Sequence, residues 1–188
     1  MIDRGWTGIV LAGGKSSRMG ADKALMLHEG RTLLEKAIAL LRPHAREVLV
    51  IGDPAIYADH WDHVHPDDAP GEGPLRGLVT GLRAARYVRV LVVACDMPSV
   101  GDRALIRLKQ SLDLAGDAVV PRHPGGVEPL VAAYHRRCLE RFENCLRNER
   151  YRLTDALSEV DTRYLDLVPG KGGWAEDIFR NINSPDDL

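Results

Sequence analysis

The sequence predicts a three-layer α/β/α fold built on a mostly parallel sheet. Strand-like and helix-like segments alternate along almost the whole chain, which is typical of helices packed on both faces of such a sheet. The stretch 88–94 is nearly all apolar, as a central strand buried on both faces should be. A loop rich in glycine and in cations follows the first predicted strand, where open parallel sheets bind their ligands. Because the 188 residues contain no internal repeat or linker, we expect a single α/β domain over residues 1–188.

The elements follow from apolar periodicity, turn residues and caps. The predicted strands are 8–11, 47–51, 62–65, 88–94, 117–120, 128–134 (opening with a polar turn) and 162–167. The predicted helices are 33–41, 75–85, the stretch after Asp102, 137–147 and 153–160. Thr32 and Glu35 form a capping-box pattern at the first helix, and Asp102 is expected to cap a later one. At the tail, Ser184 as N-cap and Pro185 as first helical residue predict the start of a last helix.

Composition argues against several classes of protein. The formal net charge is −2 and the sequence pI is about 6.4, whereas a nucleic-acid binder would usually show a basic excess. No apolar run reaches the length of a membrane span, and residues 1–6 lack a signal-peptide core. The three cysteines, Cys95, Cys138 and Cys145, form no C-x-x-C pair. We therefore expect a cytoplasmic protein with reduced thiols and without nucleic-acid or membrane partners.

The loop after the first strand predicts a polyphosphate site. Gly13 and Gly14 allow a sharp bend and a close approach of a ligand to backbone N–H groups, which attract anions. Lys15, Arg18 and Lys23 are spaced along the same loop and would meet phosphate oxygens. The spacing fits neither a P-loop nor the G-x-G-x-x-G of dinucleotide-binding folds. The alternative is a solvated surface loop with ordinary charges.

Asp96 is the strongest single candidate for a metal ligand. It lies two residues beyond the end of the buried strand 88–94, so its carboxylate is expected at the ligand-binding edge of the sheet. Magnesium prefers one or two carboxylates and completes its shell with phosphate oxygens and water. The alternative is a turn former ahead of Pro98. Asp67 and Asp68 are further candidates for contacts to metal or nucleotide, or else simple loop formers.

Other polar residues carry weaker signals. Asn181 and Asn183 have the spacing of one strand face, so both amides are expected either in a cleft or in ordinary turn chemistry. The cluster of His60, His63 and His65 lacks the spacing of a recognisable metal site and favours solvated surface. Cys95 is interpreted as a small buried strand residue rather than a nucleophile.

Five motifs follow one another in a fixed order. They are LAGGKSSRMGADK at 11–23, GPLRGL at 73–78, CDMP at 95–98, EPL at 128–130 and NINSPDDL at 181–188. Together they resemble the motifs of the molybdenum cofactor guanylyltransferases of the nucleotidyltransferase superfamily. The first motif alone indicates the superfamily, whereas its combination with the tail is far more specific.

The resemblance implies a Rossmann-like fold and a magnesium-dependent transfer of GMP from GTP to the terminal phosphate of molybdopterin, with release of pyrophosphate. The N-terminal half would bind the nucleotide and the C-terminal half molybdopterin. It also implies transient contacts with molybdoenzymes and cofactor-delivery proteins, and we expect a monomer. The acceptor phosphate monoester is largely dianionic at neutral pH, so it needs no general base. Arg18, Lys23 and magnesium would instead offset the repulsion between two polyanions.

By the same resemblance, individual residues receive roles. Those expected to bind the nucleotide are Leu11, Ala12, Gly13, Gly14, Lys23, Asp53, Asp67 and Asp96. Asp96 would also hold the metal, and Glu128, Asn181 and Asn183 would bind molybdopterin. The sequence departs from the family at Asp53, where asparagine is usual, which leaves the guanine or ribose contact there open.

Rival functions come from neighbouring classes. Molybdopterin cytidylyltransferases resemble this loop but usually have alanine where Gly13 stands, and glycine there would let the backbone approach a guanine closely. Sugar-1-phosphate nucleotidyltransferases are normally longer. A non-catalytic nucleotide-binding or cofactor-chaperone module would be favoured if Lys23 or Asp96 were absent, and both are present.

Overall fold

A computed structural model describes residues 5–12, 22–67, 73–114, 116–184 and 187. The strands are β1 Trp6–Leu11, β2 Leu27–His28, β3 Arg31–Thr32, β4 Glu47–Ile51, β5 Val64–His65, β6 Arg89–Ala94, β7 Ala118–His123, β8 Gly126–Val127, β9 Val131–His135 and β10 Thr162–Asp166. The centre of the fold is one mixed sheet, in which the strand order is β10-β7-β9-β6-β1-β4-β5 and β8 pairs with β7. A separate hairpin is formed by β2 and β3.

The sheet is mostly parallel, as predicted, with one central exception. β1 runs parallel to both of its neighbours, β4 and β6. β9 is antiparallel to β6 and to β7. The connection from β7 through the short β8 to β9 is too short for a helical crossover, and a short connection favours antiparallel pairing.

Helices cover both faces of this sheet and complete the three predicted layers. The helices are α1 Leu33–Leu41, α2 Pro54–Tyr57, α3 Pro74–Ala84, α4 Asp102–Leu114, α5 Cys138–Arg147 and α6 Leu153–Leu157. α1 and α4 share one apolar cluster with the tail residues Ile178 and Ile182, and α3, α5 and α6 share the other. Neighbouring residues of β1 contribute to opposite clusters, Val10 to the first and Ile9 to the second, as side-chain alternation requires.

Most predicted boundaries agree with the structure to within two residues, but the strand predicted at 117–120 extends to His123, and the strand predicted at 128–134 begins only at Val131. The capping box at α1 is confirmed, with bonds in both directions between Thr32 and Glu35. The prediction that Asp102 caps α4 is wrong, because Asp102 is the first helical residue and its carboxylate pairs with His44 Nε2 at 2.7 Å. The strand expected at 62–65 is shortened to β5, and α6 stops at Leu157, three residues early.

The carboxyl ends of β1, β4, β6 and β7 lie along one edge of the sheet, which we call the carboxyl edge. The antiparallel β9 begins at the same edge, where Ala94 N donates to Leu130 O at 2.8 Å. The tail returns to it, because Ile182 N donates to Asp96 O at 2.8 Å. Three distant parts of the chain therefore meet beside the end of β6. Among the described residues, no helix is long and apolar enough to cross a membrane.

Candidate active site

A charged cluster lies at the carboxyl edge, beside the ends of β1 and β6. The Lys23 ammonium donates to Asp96 Oδ2 at 2.8 Å and to Asn183 Oδ1 at 2.9 Å. The Lys23 and Asp96 side chains are only 15% and 25% exposed. The structure thus brings together three residues that the sequence analysis had singled out from three separate motifs.

Each member of this cluster is held by its own element. Lys23 begins a 3-10 turn, Lys23–Leu25, whose N-cap is Asp22. Asp96 comes two residues after β6, whose apolar residues are buried on both faces. Asn183 follows Ile182, which is 3% exposed and fixes the tail against the core.

The oxygen atoms of this cluster fit a hard divalent cation. Asp96 and Asn183 each present an oxygen to one point in space, where the ammonium of Lys23 now lies. The second carboxylate oxygen, Asp96 Oδ1, is buried and has no hydrogen-bond donor among the described residues. A buried carboxylate oxygen without a partner is costly, and a cation would satisfy it. Carboxylate and amide oxygens are also the ligand type that magnesium accepts.

The end of β4 lies next to the end of β1 and supplies the other candidate nucleotide residues. Asp53 is exposed, and its carboxylate caps α2 by accepting from Ala55 N at 2.9 Å. Ala12 N donates to Ile51 O at 2.9 Å, so the backbone after Leu11 is held against β4. This contact holds Ala12 beside Ile51 and Gly52, directly before Asp53.

Asp67 lies near the same point, on the side of α3. A Cβ atom added to Gly77 would be 3.4 Å from Leu11 Cδ2 and 3.9 Å from Asp67 Oδ2. Gly77 is in the first turns of α3, so the Asp67 carboxylate is close to the positive end of that helix. Leu11, Ala12, Asp53 and Asp67 therefore surround one part of the carboxyl edge.

Glu128 lies farther along the same edge, before β9. Its carboxylate contacts His123 Nε2 at 3.0 Å, and His123 Nδ1 accepts from Gly125 N at 3.1 Å. Because Nδ1 accepts, the proton of the neutral ring is on Nε2 and is donated to Glu128. The His123 ring stacks on Phe179 of the tail at 5.1 Å between ring centroids. Asn181, two residues later, is exposed.

Some sequence predictions concern residues whose structure is not described. Gly13, Gly14 and Arg18 lie outside the described residues, and so does Asp68. Their predicted contacts to nucleotide or phosphate stay predictions. Pro185 in the tail also lies outside the described residues, so its place as first helical residue stays a prediction. The hydroxyl of Ser184 donates to the Asp187 carboxylate at 3.1 Å.

Two weaker sequence interpretations agree with the structure. His60 and His63 are exposed, as expected of solvated surface, and His65 is partly buried. Cys95 is buried, and this burial together with the neighbouring Asp96 raises the pKa of its thiol to about 12. A thiol with so high a pKa is a poor nucleophile at neutral pH.

Asp22 and Tyr57 were not predicted from the sequence as part of the site. Asp22 caps the turn that begins with Lys23, and Tyr57 is hydrogen-bonded to Asp22. Asp22 accepts from Ala24 N and, at 2.8 Å, from the Tyr57 hydroxyl. Asp22 precedes a lysine and could have been recognised as a cap, but nothing in the local sequence connects it with a tyrosine 35 positions later. His123 was also missed, although Glu128 lies only five positions later.

Comparisons with known proteins identify the family of the chain. Residues 8–162 match a family model described as MobA-like NTP transferase domain. A probable molybdenum cofactor guanylyltransferase of Chloroflexus aggregans is 36% identical, over 97% of this chain and 91% of that protein. One from Geobacillus sp. is 30% identical, over 96% of this chain and 95% of that protein.

Solved structures agree on the fold. Molybdopterin-guanine dinucleotide biosynthesis protein A from Archaeoglobus fulgidus has a TM-score of 0.77 at 24% identity, covering 96% of this chain and 94% of its own. A putative protein from Aquifex aeolicus has a TM-score of 0.78, also at 24% identity, with coverages of 95% and 93%. The family resemblance predicted from the motifs is confirmed. The chain belongs to the MobA-like NTP transferase family.

Proposed function

We propose that this protein transfers GMP from GTP to the terminal phosphate of molybdopterin, releasing pyrophosphate and forming the guanine dinucleotide cofactor. The observation that carries the proposal is the cluster at the carboxyl edge, where one ammonium meets the oxygens of Asp96 and Asn183. The names of the relatives that cover nearly the whole chain support guanylyl rather than cytidylyl transfer. The presence of both Lys23 and Asp96 argues against a module that only binds nucleotide.

The chemical problem of this reaction is the meeting of two polyanions. The attacking phosphate is already largely dianionic, so the protein has no proton to remove and mainly aligns an attack on the α-phosphorus. Lys23 and Arg18 are proposed to neutralise charge on the phosphates and on the departing pyrophosphate. Asp96, joined by Asn183, is proposed to hold Mg²⁺. When bound, magnesium would neutralise phosphate charge and orient the reacting oxygens.

The donor nucleotide is assigned to the N-terminal half of the chain. Its proposed binding residues, besides Lys23 and Asp96, are Leu11, Ala12, Gly13, Gly14, Asp53 and Asp67. Support comes from the common location of the described members around the ends of β1 and β4. Asp53 can contact a nucleotide only with the carboxylate oxygen or backbone that its capping bond leaves accessible.

Molybdopterin is assigned to the C-terminal half, near Glu128, Asn181 and Asn183. Glu128 is held by His123, which gives its carboxylate a fixed orientation at the carboxyl edge. The hydrogen bond between Asn183 and Lys23 supports two adjacent substrate sites, as transfer between them requires. We also propose that the protein is a monomer and makes transient contacts with the proteins that receive its product.

A turnover assay with molybdopterin, Mg²⁺ and each of the four nucleoside triphosphates tests this function. We expect formation of a molybdopterin dinucleotide and pyrophosphate with GTP, and much slower turnover with CTP, ATP and UTP. Discrimination can be large because a mismatched base leaves buried polar groups unpaired. A preference for CTP would instead identify a cytidylyltransferase, and binding of nucleotide without turnover would favour the non-catalytic module.

A further inference from the structure

Tyr57 is a buried tyrosine that none of the proposed roles uses. It ends α2, its side chain is only 1% exposed, and its hydroxyl donates to Asp22 Oδ2 at 2.8 Å. This bond joins the helix after β4 to the segment that carries Lys23. Burial, with the bond to Asp22, raises the pKa of Tyr57 far above its usual value. The hydroxyl therefore stays protonated and remains a donor at any physiological pH.

Asp22 has two separate tasks, one for each carboxylate oxygen. Oδ1 accepts from Ala24 N at 2.9 Å and so caps the 3-10 turn that begins with Lys23. Oδ2 accepts the hydroxyl proton of Tyr57. Because the same carboxylate makes both bonds, its bond to Tyr57 fixes the orientation in which it caps the turn.

The chain makes room for this tyrosine at the end of β4. A Cβ atom on Gly52 would lie 2.5 Å from the Tyr57 ring and would also overlap the Ala12 carbonyl oxygen. Glycine at this position therefore lets the ring pack directly below the start of the loop that follows β1. The ring is thus fixed by packing, and its hydroxyl is the part that reaches the candidate active site.

We propose that Tyr57 is a positioning residue for Lys23: through Asp22, its hydroxyl holds the lysine turn so that the ammonium reaches Asp96 and, in turnover, the phosphates. The kinetic test of this inference rests on the proposed function, because it measures guanylyl transfer. Without the hydroxyl, the partly buried Asp22 Oδ2 loses its hydrogen-bond donor. The carboxylate can then rotate away from Ala24 N. Lys23 would then sample more positions, which costs turnover because the catalytic charge is less well preorganised.

The test is Tyr57→Phe, which keeps the ring and removes only the hydroxyl. The free energy of a hydrogen bond to a charged group corresponds to a factor of about ten or more in an equilibrium or rate constant. We therefore expect kcat/KM for GTP to fall roughly tenfold and KM for molybdopterin to stay unchanged. A purely structural role would not make this effect depend on Lys23. In a Lys23→Ala background, Tyr57→Phe should therefore change kcat/KM by less than about twofold.

Thr7→Val is the matched control. Thr7 is fully buried near the start of β1, far from the carboxyl edge, and its hydroxyl also donates to a carboxylate, Glu47 Oε1 at 2.6 Å. This variant should lose stability as Tyr57→Phe does and keep wild-type kinetics with GTP. Wild-type kinetics in Tyr57→Phe, or an equal fold loss with and without Lys23, would overturn the inference.

A second measurement separates this inference from the proposed function. If the wild-type protein makes no dinucleotide, the function fails, and the inference is decided by the side-chain NH3⁺ resonance of Lys23, which needs no substrate. We expect this resonance to be sharp in the wild type and in Thr7→Val, and broadened in Tyr57→Phe. An unchanged Lys23 resonance in Tyr57→Phe would contradict the positioning role.

Discussion

Replacing Asp96 by asparagine should nearly abolish turnover while leaving the fold intact. The substitution keeps the shape of the side chain and removes its charge. In the structure, Asp96 Oδ2 accepts from Lys23 at 2.8 Å, and Oδ1 is buried without a donor among the described residues. The substitution weakens the interactions at both oxygen positions, because a neutral amide attracts the ammonium and a divalent cation less strongly than a carboxylate does.

The expected magnitude follows from the loss of one preorganised electrostatic group. Such losses typically reduce turnover by about 10²–10³-fold, which corresponds to about 3–4 kcal/mol of transition-state stabilisation. Stability should change far less. The lost attraction between Lys23 and Asp96 is offset, because keeping a largely buried charge on Asp96, with Oδ1 lacking a donor among the described residues, is itself costly.

The assay is formation of the dinucleotide from GTP and molybdopterin at saturating Mg²⁺, with thermal unfolding measured in parallel. Asp113→Asn is a suitable control, because Asp113 pairs with Arg89 at the opposite end of β6, at 3.2 Å. That variant should keep normal turnover. Near-normal turnover of a well-folded Asp96→Asn protein would refute the reasoning and remove Asp96 from the site.

Four further predictions address the loop, base choice, and the reactivity and titration of the Cys95 thiol. Lys23→Ala should raise KM for GTP and lower kcat, with a smaller effect on molybdopterin; a change confined to molybdopterin affinity would mean that the lysine serves the other substrate. Gly13→Ala should lower turnover with GTP more than turnover with CTP, because the added methyl group crowds the larger base. Competition between equal concentrations of GTP and CTP measures this, and an unchanged ratio of the two products would mean that base selection lies elsewhere. Burial raises the pKa of Cys95 to about 12, so iodoacetamide should label the native protein at about pH 8 far more slowly than the unfolded chain, and labelling at equal rates would contradict its burial. Because the folded state keeps this proton, its contribution to the free energy of unfolding is fully present below the ordinary thiol pKa of about 8.5 and should decline as the pH rises from there towards 12.

The central part of the candidate site could be predicted from the sequence. Lys23 comes after the first strand and Asp96 after a buried central strand, and parallel strands carry their succeeding loops at one edge of the sheet. The pairing of β1 with β6 then brings the two segments side by side. The capping box at α1 was equally predictable, because its signal is local.

The remaining features depend on contacts between distant parts of the chain. Asn183 meets Lys23 across 160 positions, and Tyr57 meets Asp22 across 35, and no local pattern encodes either pair. The antiparallel direction of β9 was missed because a short apolar run has the same appearance in either direction. Asp102 has the residue type of a cap, but a tertiary contact with His44 uses its carboxylate instead.

The most direct test of the account is a crystal structure of the protein with Mn²⁺ and a GTP analogue that has a methylene group between its α- and β-phosphorus atoms. Anomalous scattering would locate the metal without ambiguity. We predict that manganese lies within about 2.0–2.3 Å of an Asp96 carboxylate oxygen, with the α-phosphate beside it and the Lys23 ammonium on the phosphates. A metal and an α-phosphate bound elsewhere, with the Lys23–Asp96 pair intact, would contradict the account.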